Sequence, residues 1–216
     1  PLTYQCNDDK LPKVNQSNIF NRDDKFKEKF VFTCFNSTYK ISPIEFDIWM
    51  NLLRRVERSV LWLYESSEDS KSNLIQSANN RGIDSTRLFF AKALPLKEHI
   101  KRHQNADLCL DTFNYSAGAT AFISLKASIP IVSYVGQSYT SRMSSSILKS
   151  LGLSNLVASD FDQYQEIAFK LATDDQFYLD IKNKLYDLND NSKFFNSSEF
   201  VKDYESLLTQ VYSNHS

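Results

Sequence analysis

Glycine and cysteine are both scarce in this 216-residue chain, and each scarcity closes off a class of protein. The four glycines, Gly82, Gly118, Gly136 and Gly152, stand far apart. A G-x-G-x-x-G dinucleotide fingerprint and a phosphate-binding P-loop both need glycines a few residues apart, so neither motif is present. Cys6, Cys34 and Cys109 are odd in number and show no C-x-x-C or Cys/His spacing. That gives no ground for a metal site and points to a reduced, cytoplasmic chain. Charge of one sign is also lacking, since Lys and Arg total 25 against 26 for Asp and Glu. Nucleic acid and anionic membranes are held by a concentrated basic excess, so neither is expected as a partner. No apolar run approaches the roughly 18 residues of a membrane span, and no secretory signal is visible. The chain opens at Pro1 without a Met, as a processed or excised segment would. No G-x-S-x-G elbow or H-E-x-x-H zinc motif occurs.

What is there is the composition of one ordinary globular domain, 42% hydrophobic and 24% charged. From residue 29 onward, short apolar runs alternate with longer amphipathic stretches. Strands are expected at 29–36, 59–65, 87–93, 108–112 and 130–135, with a short one at 156–158. Most are apolar nearly throughout, as parallel strands covered on both faces are. Ser42-Pro43 supplies an N-cap and a first-turn proline, and Ile44, Ile48, Leu52 and Val56 then recur at helical spacing. Further helices are expected at 69–80, 95–106, 118–128 and 141–151, with Gly82 and Gly152 as C-terminal stops. The alternation predicts an α/β fold, a Rossmann-like parallel sheet flanked by helices. Helices at 160–173, 176–188 and 198–212 then form a C-terminal cap. Residues 1–28 read as a polar lead-in segment and 29–216 as the domain. Trp49 and Trp62 read as core, and the Asp8-Asp9, Asp23-Asp24 and Asp174-Asp175 pairs as solvated caps.

Open parallel sheets bind ligands beyond the carboxyl ends of their strands, and three loops there carry suitable residues. Asn36-Ser-Thr-Tyr-Lys40 can bring an ammonium and hydroxyls to a phosphate, or can be a solvated loop. His99 and Arg102 fall three apart on a helix and so share a face. They can hold a base and an anion, or be plain surface residues. The run Asp111–Thr120 ends a strand and opens a helix with the small residues Gly118, Ala119 and Thr120. Small side chains let helix-start amides approach an anion, although tight helix–sheet packing asks for the same residues.

Taken in order, YQCND (4–8), FNSTYKI (35–41), SVLWL (59–63), LPLKEHIKRHQNADLCLDTFNY (94–115), AGATA (117–121), SIPIVSYVGQSYTSRMSSSILKSLGL (128–153) and FFNSSEF (194–200) resemble one family. It is the O-linked N-acetylglucosamine transferase family, including its bacterial tetratricopeptide-fused, SPINDLY-like members, and the likeness spans nearly the whole chain. The resemblance implies the C-terminal catalytic lobe of a two-lobed GT-B glycosyltransferase. The acceptor-side lobe and the helical repeats that bind the protein acceptor would precede Pro1, so the fragment alone is expected to be inactive. It further implies a nucleotide-sugar donor such as UDP-GlcNAc, transfer to Ser or Thr hydroxyls, and no metal or other cofactor. Lys40 matches the lysine that neutralises the donor diphosphate, with Ser37 nearby where animal members have glutamine. Leu94 matches the residue whose backbone meets the uracil, and His99 and Arg102 match the pair beside the nucleotide. Gly118, Ala119 and Thr120 match the helix start under the phosphates. Two positions depart from the pattern: Leu96 replaces a donor-site lysine, and Ile123 replaces an Asp that hydrogen-bonds the ribose. Ile123 keeps GDP-fucose and UDP-glucose open as donors, and a non-catalytic binding module open as a second class.

Overall fold

The computed structural model describes residues 22–214. Cys6, Asp8-Asp9 and the YQCND motif lie outside the described residues. Six strands form one sheet: β1 (Phe30–Cys34), β2 (Ser59–Tyr64), β3 (Leu88–Ala91), β4 (Leu108–Leu110), β5 (Ile131–Tyr134) and β6 (Val157–Ala158). They run in the order β3-β2-β1-β4-β5-β6, and every pair is parallel. Between them lie α1 (Pro43–Arg55), α2 (Glu68–Asn80), α3 (Leu96–Arg102), α4 (Ala119–Lys126) and α5 (Met143–Ser150). The chain then closes with α6 (Phe161–Thr173), α7 (Asp175–Asn191) and α8 (Ser197–Ser213). The expected α/β architecture is therefore present, with strands trimmed by one to three residues where polar ends turn into loops.

The strands are largely apolar because successive side chains face two separate cores. Phe32 and Cys34 of β1 and Leu61 and Leu63 of β2 enter the main cluster. Their neighbours Val31, Val60 and Trp62 face a smaller one, with Phe26 and Phe35. Cys34 and Cys109 are buried, unpaired thiols that pack as small hydrophobes.

Local signals fix most helix ends. Gly82 and Gly152 adopt φ of +73° and +68° after α2 and α5. Around Gly82, Ile83 N–H donates to Ala78 O and Gly82 N–H to Asn79 O, the paired bonds of a Schellman stop. Leu153 and Gly152 repeat the arrangement over Leu148 and Lys149. Asp174 caps α7 by accepting from Phe177 N–H.

The face that α1 buries is broader than the expected stripe, for Leu52 and Val56 are buried and Ile48 packs against the core, and Ile44 alone falls outside it. Ile44 is 50% exposed, while Phe46, Trp49, Met50 and Leu53 face the core. Glu45 is also fully buried, because its carboxylate accepts from Ser42 Oγ and from Phe113 N–H. That anchorage sets the helix's rotation about its axis.

α6 is the central helix of the C-terminal cap. Its Tyr164 takes a hydrogen bond from Trp49 Nε1 (3.3 Å) and gives one to the Asp111 carbonyl (3.0 Å). α7 packs on α6 through Ile181 and Leu185. α8 differs, for none of its side chains is buried.

Candidate functional site

β1 and β4 are neighbours, yet the chain leaves β1 toward β2 on one side and β4 toward β5 on the other. The loops after β1 and β4 therefore diverge and leave a crevice, the usual binding place of a doubly wound sheet. Two of the three loops singled out in the sequence meet there.

The loop after β1 is tied down at its base. Asn36 is buried, and its Nδ2 donates to Thr112 Oγ1 across the crevice (3.0 Å). Residues Thr38–Lys40 then make one 3-10 turn, with Lys40 N–H donating to the carbonyl of Ser37 (3.0 Å). Thr38 N–H donates to Ser66 Oγ (3.3 Å). Lys40 is half-buried and its Nζ lies 3.7 Å from the centre of the Tyr115 ring. Burial lowers its pKa, and the nearby Asp111 and Cys34 act the other way. Among the described residues, no carboxylate forms an ion pair with Lys40.

The loop after β4 is held by its own polar groups. The carboxylate of Asp111, fully buried, accepts from the N–H groups of Thr112 (2.9 Å) and Ala117 (2.7 Å) and from Ser133 Oγ (2.8 Å). Burial pushes its pKa up to about 6, against the lowering effect of these hydrogen bonds. Ser116 Oγ donates to Thr140 O, and Ser144 Oγ donates to Ala117 O. Almost every polar group up to Ala117 is thus committed within the protein. α4 then begins with no side-chain cap and no acidic residue in its first turn. Its first intrahelical acceptor, Gly118 O, serves Phe122 N–H (3.0 Å). The N–H groups of Ala119, Thr120 and Ala121 precede it with no carbonyl one turn earlier to receive them. α1, α3 and α5 also begin without a side-chain cap, whereas α2, α6, α7 and α8 each have one. A lone ammonium and an uncapped helix start flanking one crevice suit a bound anion.

The third loop sits at β3, two strands from β1. Leu94 and Leu96 are half-exposed beyond its end. His99 and Arg102 do not form an open pair. Arg102 is buried, donating through Nη2 to the carbonyl of Lys92 (2.9 Å), so it braces the turn after β3. His99 meets Phe35 and His103 edge-on, at 5.4 and 4.9 Å between ring centres. Burial and the Arg102 charge lower its pKa to about 4, which leaves a neutral imidazole near neutral pH. It offers a ring and a hydrogen bond rather than a charge.

Ile123 lies on α4 and is half-buried against Ile100, Ala106, Ala127 and Ile129. An aliphatic side chain is satisfied there by packing. A cleft of about 330 Å³ adjoins the crevice, lined by Ser42, Phe113, Asn114, Tyr134 and Gly136 among others. Another of about 340 Å³ lies over the start of α5 and includes none of the residues above.

Glu45, Asp111 and Tyr115 were not singled out as site residues by sequence reasoning. Ser42-x-x-Glu45 has the capping-box spacing and so carried a readable signal. The roles of Asp111 and Tyr115 depend on partners that the sequence alone does not place beside them.

With this geometry in place, the glycosyl transferase family 41 profile matches residues 14–204. The chain belongs to that family. It is 31% identical over 188 residues to the UDP-N-acetylglucosamine–peptide N-acetylglucosaminyltransferase of Caenorhabditis elegans, an alignment covering 87% of this chain and 16% of that protein. A probable transferase of the same description from Solanum lycopersicum, SPINDLY, is 26% identical over 85% of this chain and 20% of its own length. The chain thus spans a fifth or less of these curated relatives. Among solved structures, a mutant of the Thermobaculum terrenum O-GlcNAc transferase superposes with a TM-score of 0.80 at 23% identity. That match covers 98% of this chain and 40% of the other. Anabaena HepE, solved with UDP and glucose, gives 0.69 at 15% identity, covering 95% of this chain and 55% of the other. The family 41 chain accordingly has the fold of a GT-B C-terminal catalytic lobe. No helix among the described residues is long and apolar enough to cross a membrane.

Proposed function

We propose that this lobe holds the nucleotide-sugar donor of a protein O-glycosyltransferase, UDP-GlcNAc being the donor that the relatives' names favour. The observation that carries the reading is that the turn bearing Lys40 and the uncapped start of α4 follow the neighbouring strands β1 and β4, which flank the switch-point crevice. In sugar transfer, negative charge builds on the departing diphosphate. Donors fixed where that charge develops stabilise the transition state more than the ground state. Lys40 Nζ supplies a positive charge, and the amides of Ala119 and Thr120 supply N–H donors that need not reorganise. This assignment asks nothing of a metal ion. Ser37 and Thr38 border the same turn. Leu94 and the neutral His99 stand toward the β3 side, where a base could stack. Arg102 supports that edge from within. The Ser or Thr acceptor, and the groups that receive its proton, are assigned to polypeptide outside this chain.

Calorimetric titration with UDP tests the reading. Binding weakened about tenfold or more by Lys40→Ala is expected from the loss of charge-assisted hydrogen bonds. Absence of UDP binding by the unaltered chain would refute it in favour of a non-catalytic module.

The environment of Ile123 favours a second reading of the donor. An isoleucine packed against Ile100 and Ile129 cannot accept a hydrogen bond from ribose hydroxyls. A thermal-shift panel of UDP-GlcNAc, UDP-glucose and GDP-fucose separates the candidates by which one stabilises the chain most.

A further inference from the structure

We propose that Tyr115 is a positioning residue for Lys40, its ring holding the ammonium at the crevice before any phosphate arrives. The proposal rests on the donor-site reading above. Lys40 Nζ stands 3.7 Å from the centre of the Tyr115 ring, well inside the range at which a ring face attracts a cation. The two residues come from different loops, one after β1 and one after β4. Those loops are tied to each other by hydrogen bonds. Asn36 Nδ2 donates to Thr112 Oγ1 (3.0 Å), and Thr112 Oγ1 donates to the carbonyl of Tyr115 (2.7 Å). The backbone that carries the ring is therefore tied to Asn36, at the base of the loop that carries the lysine.

The chemistry of the partner matters. A carboxylate holding Lys40 would neutralise it and compete with an incoming phosphate. A ring face orients the ammonium yet leaves its full charge, and the N–H donors turned away from the ring, for a second partner. The lysine stem is long and flexible, so a ring that restrains it reduces the ordering that binding would otherwise require. Tyr115 is 42% exposed, which leaves room for a ligand beside the ammonium and makes substitutions there compatible with folding.

Two measurements on the same variants test this. In the free chain, lysines carrying isotope-labelled methyl groups are observed by NMR, with the Lys40 signal assigned by Lys40→Arg. A ring-current displacement of that signal is expected in the unaltered chain and in Tyr115→Phe, and its loss in Tyr115→Leu. By calorimetry, Tyr115→Leu is expected to bind UDP about threefold more weakly, with Tyr115→Phe unchanged. Uridine, which lacks the phosphates, is expected to bind all three alike. A persistent ring-current displacement in Tyr115→Leu, or UDP binding by that variant as tight as or tighter than the unaltered chain's, overturns the proposal. If UDP binding is lost in Lys40→Ala and untouched in Tyr115→Leu, the donor-site reading stands and the role of Tyr115 alone falls. If the unaltered chain does not bind UDP at all, the donor-site reading fails and takes the positioning role with it.

Discussion

Replacing Asp111 by Asn should change how stability depends on pH, by an amount the structure sets. Asp111 is fully buried, and burial raises its pKa from the ordinary 3.8 to about 6 despite the lowering effect of its hydrogen bonds. The folded chain therefore binds this proton more tightly than the unfolded chain does. The stabilisation from protonation is complete below the unfolded value and is lost as pH rises through the folded one, so the window is 3.8 to about 6. Integrating over the two titrations, the native chain gains about 2 kcal/mol from this group between about pH 7.5 and about pH 4.5. Asparagine does not titrate. Its Oδ1 can still accept from the amides of Thr112 and Ala117, and Ser133 Oγ can reverse its role and accept from Nδ2. The variant should fold, and every other titrating group should cancel in the comparison. Urea unfolding of both chains at the two pH values measures the difference directly, provided the m-values agree. The stability gap, variant minus native, should fall by about 2 kcal/mol on going to the lower pH. A gap that stays constant would show that Asp111 titrates normally and that the hydrogen bonds outweigh burial.

Three further outcomes follow from particular contacts. Tyr164→Phe removes the donor to the Asp111 carbonyl and the acceptor of Trp49 Nε1. It should cost about 1–3 kcal/mol in chemical denaturation. Gly82→Ala places a side chain where φ is +73° and no atom lies within 4 Å, so the cost is purely conformational. About 1 kcal/mol is expected, read from the shift in urea midpoint. Ile123→Asp puts a carboxylate against Ile100 and Ile129 and should destabilise the fold by about 1–3 kcal/mol. If UDP affinity nonetheless rises in that variant, as measured by calorimetry, the position faces ribose.

Most of the architecture was legible because a parallel sheet writes itself plainly: apolar runs covered on both sides, separated by capped helices. The glycine stops at Gly82 and Gly152 were legible for the same local reason. The full width of the buried face of α1 was not. Leu52 and Val56 of the expected stripe are buried, but so are Phe46, Trp49, Met50 and Leu53, and Ile44 is not. The buried tie from Glu45 to the Phe113 amide, 68 residues away, lies at the end of the helix where the expectation fails. The site divides in a similar way. Lys40 and Gly118–Thr120 were open to two readings from their motifs and were assigned by the family resemblance, and the strand order brings their loops to one crevice. Arg102 was named as well, but the carbonyl of Lys92 draws it inward. Tyr115 meets Lys40 of the loop after β1, and Asp111 takes a bond from Ser133 of β5, contacts that spacing along one segment cannot reveal.

α8 has a consequence for how the domain comes apart. It holds Val201, Tyr204, Leu208 and Val211 at helical spacing, all between 48% and 57% exposed, and buries none of its side chains. A helix with no buried face draws little on the cooperative core. Its own hydrogen bonds, the Asn196 cap and the ion pairs of Glu199 with Lys193 and Lys202 contribute to its stability. The 17-residue helix is therefore expected to open more readily than the sheet domain. Melting followed by helical circular dichroism should begin below melting followed by Trp49 and Trp62 fluorescence, and amide exchange in α8 should be faster than in α6.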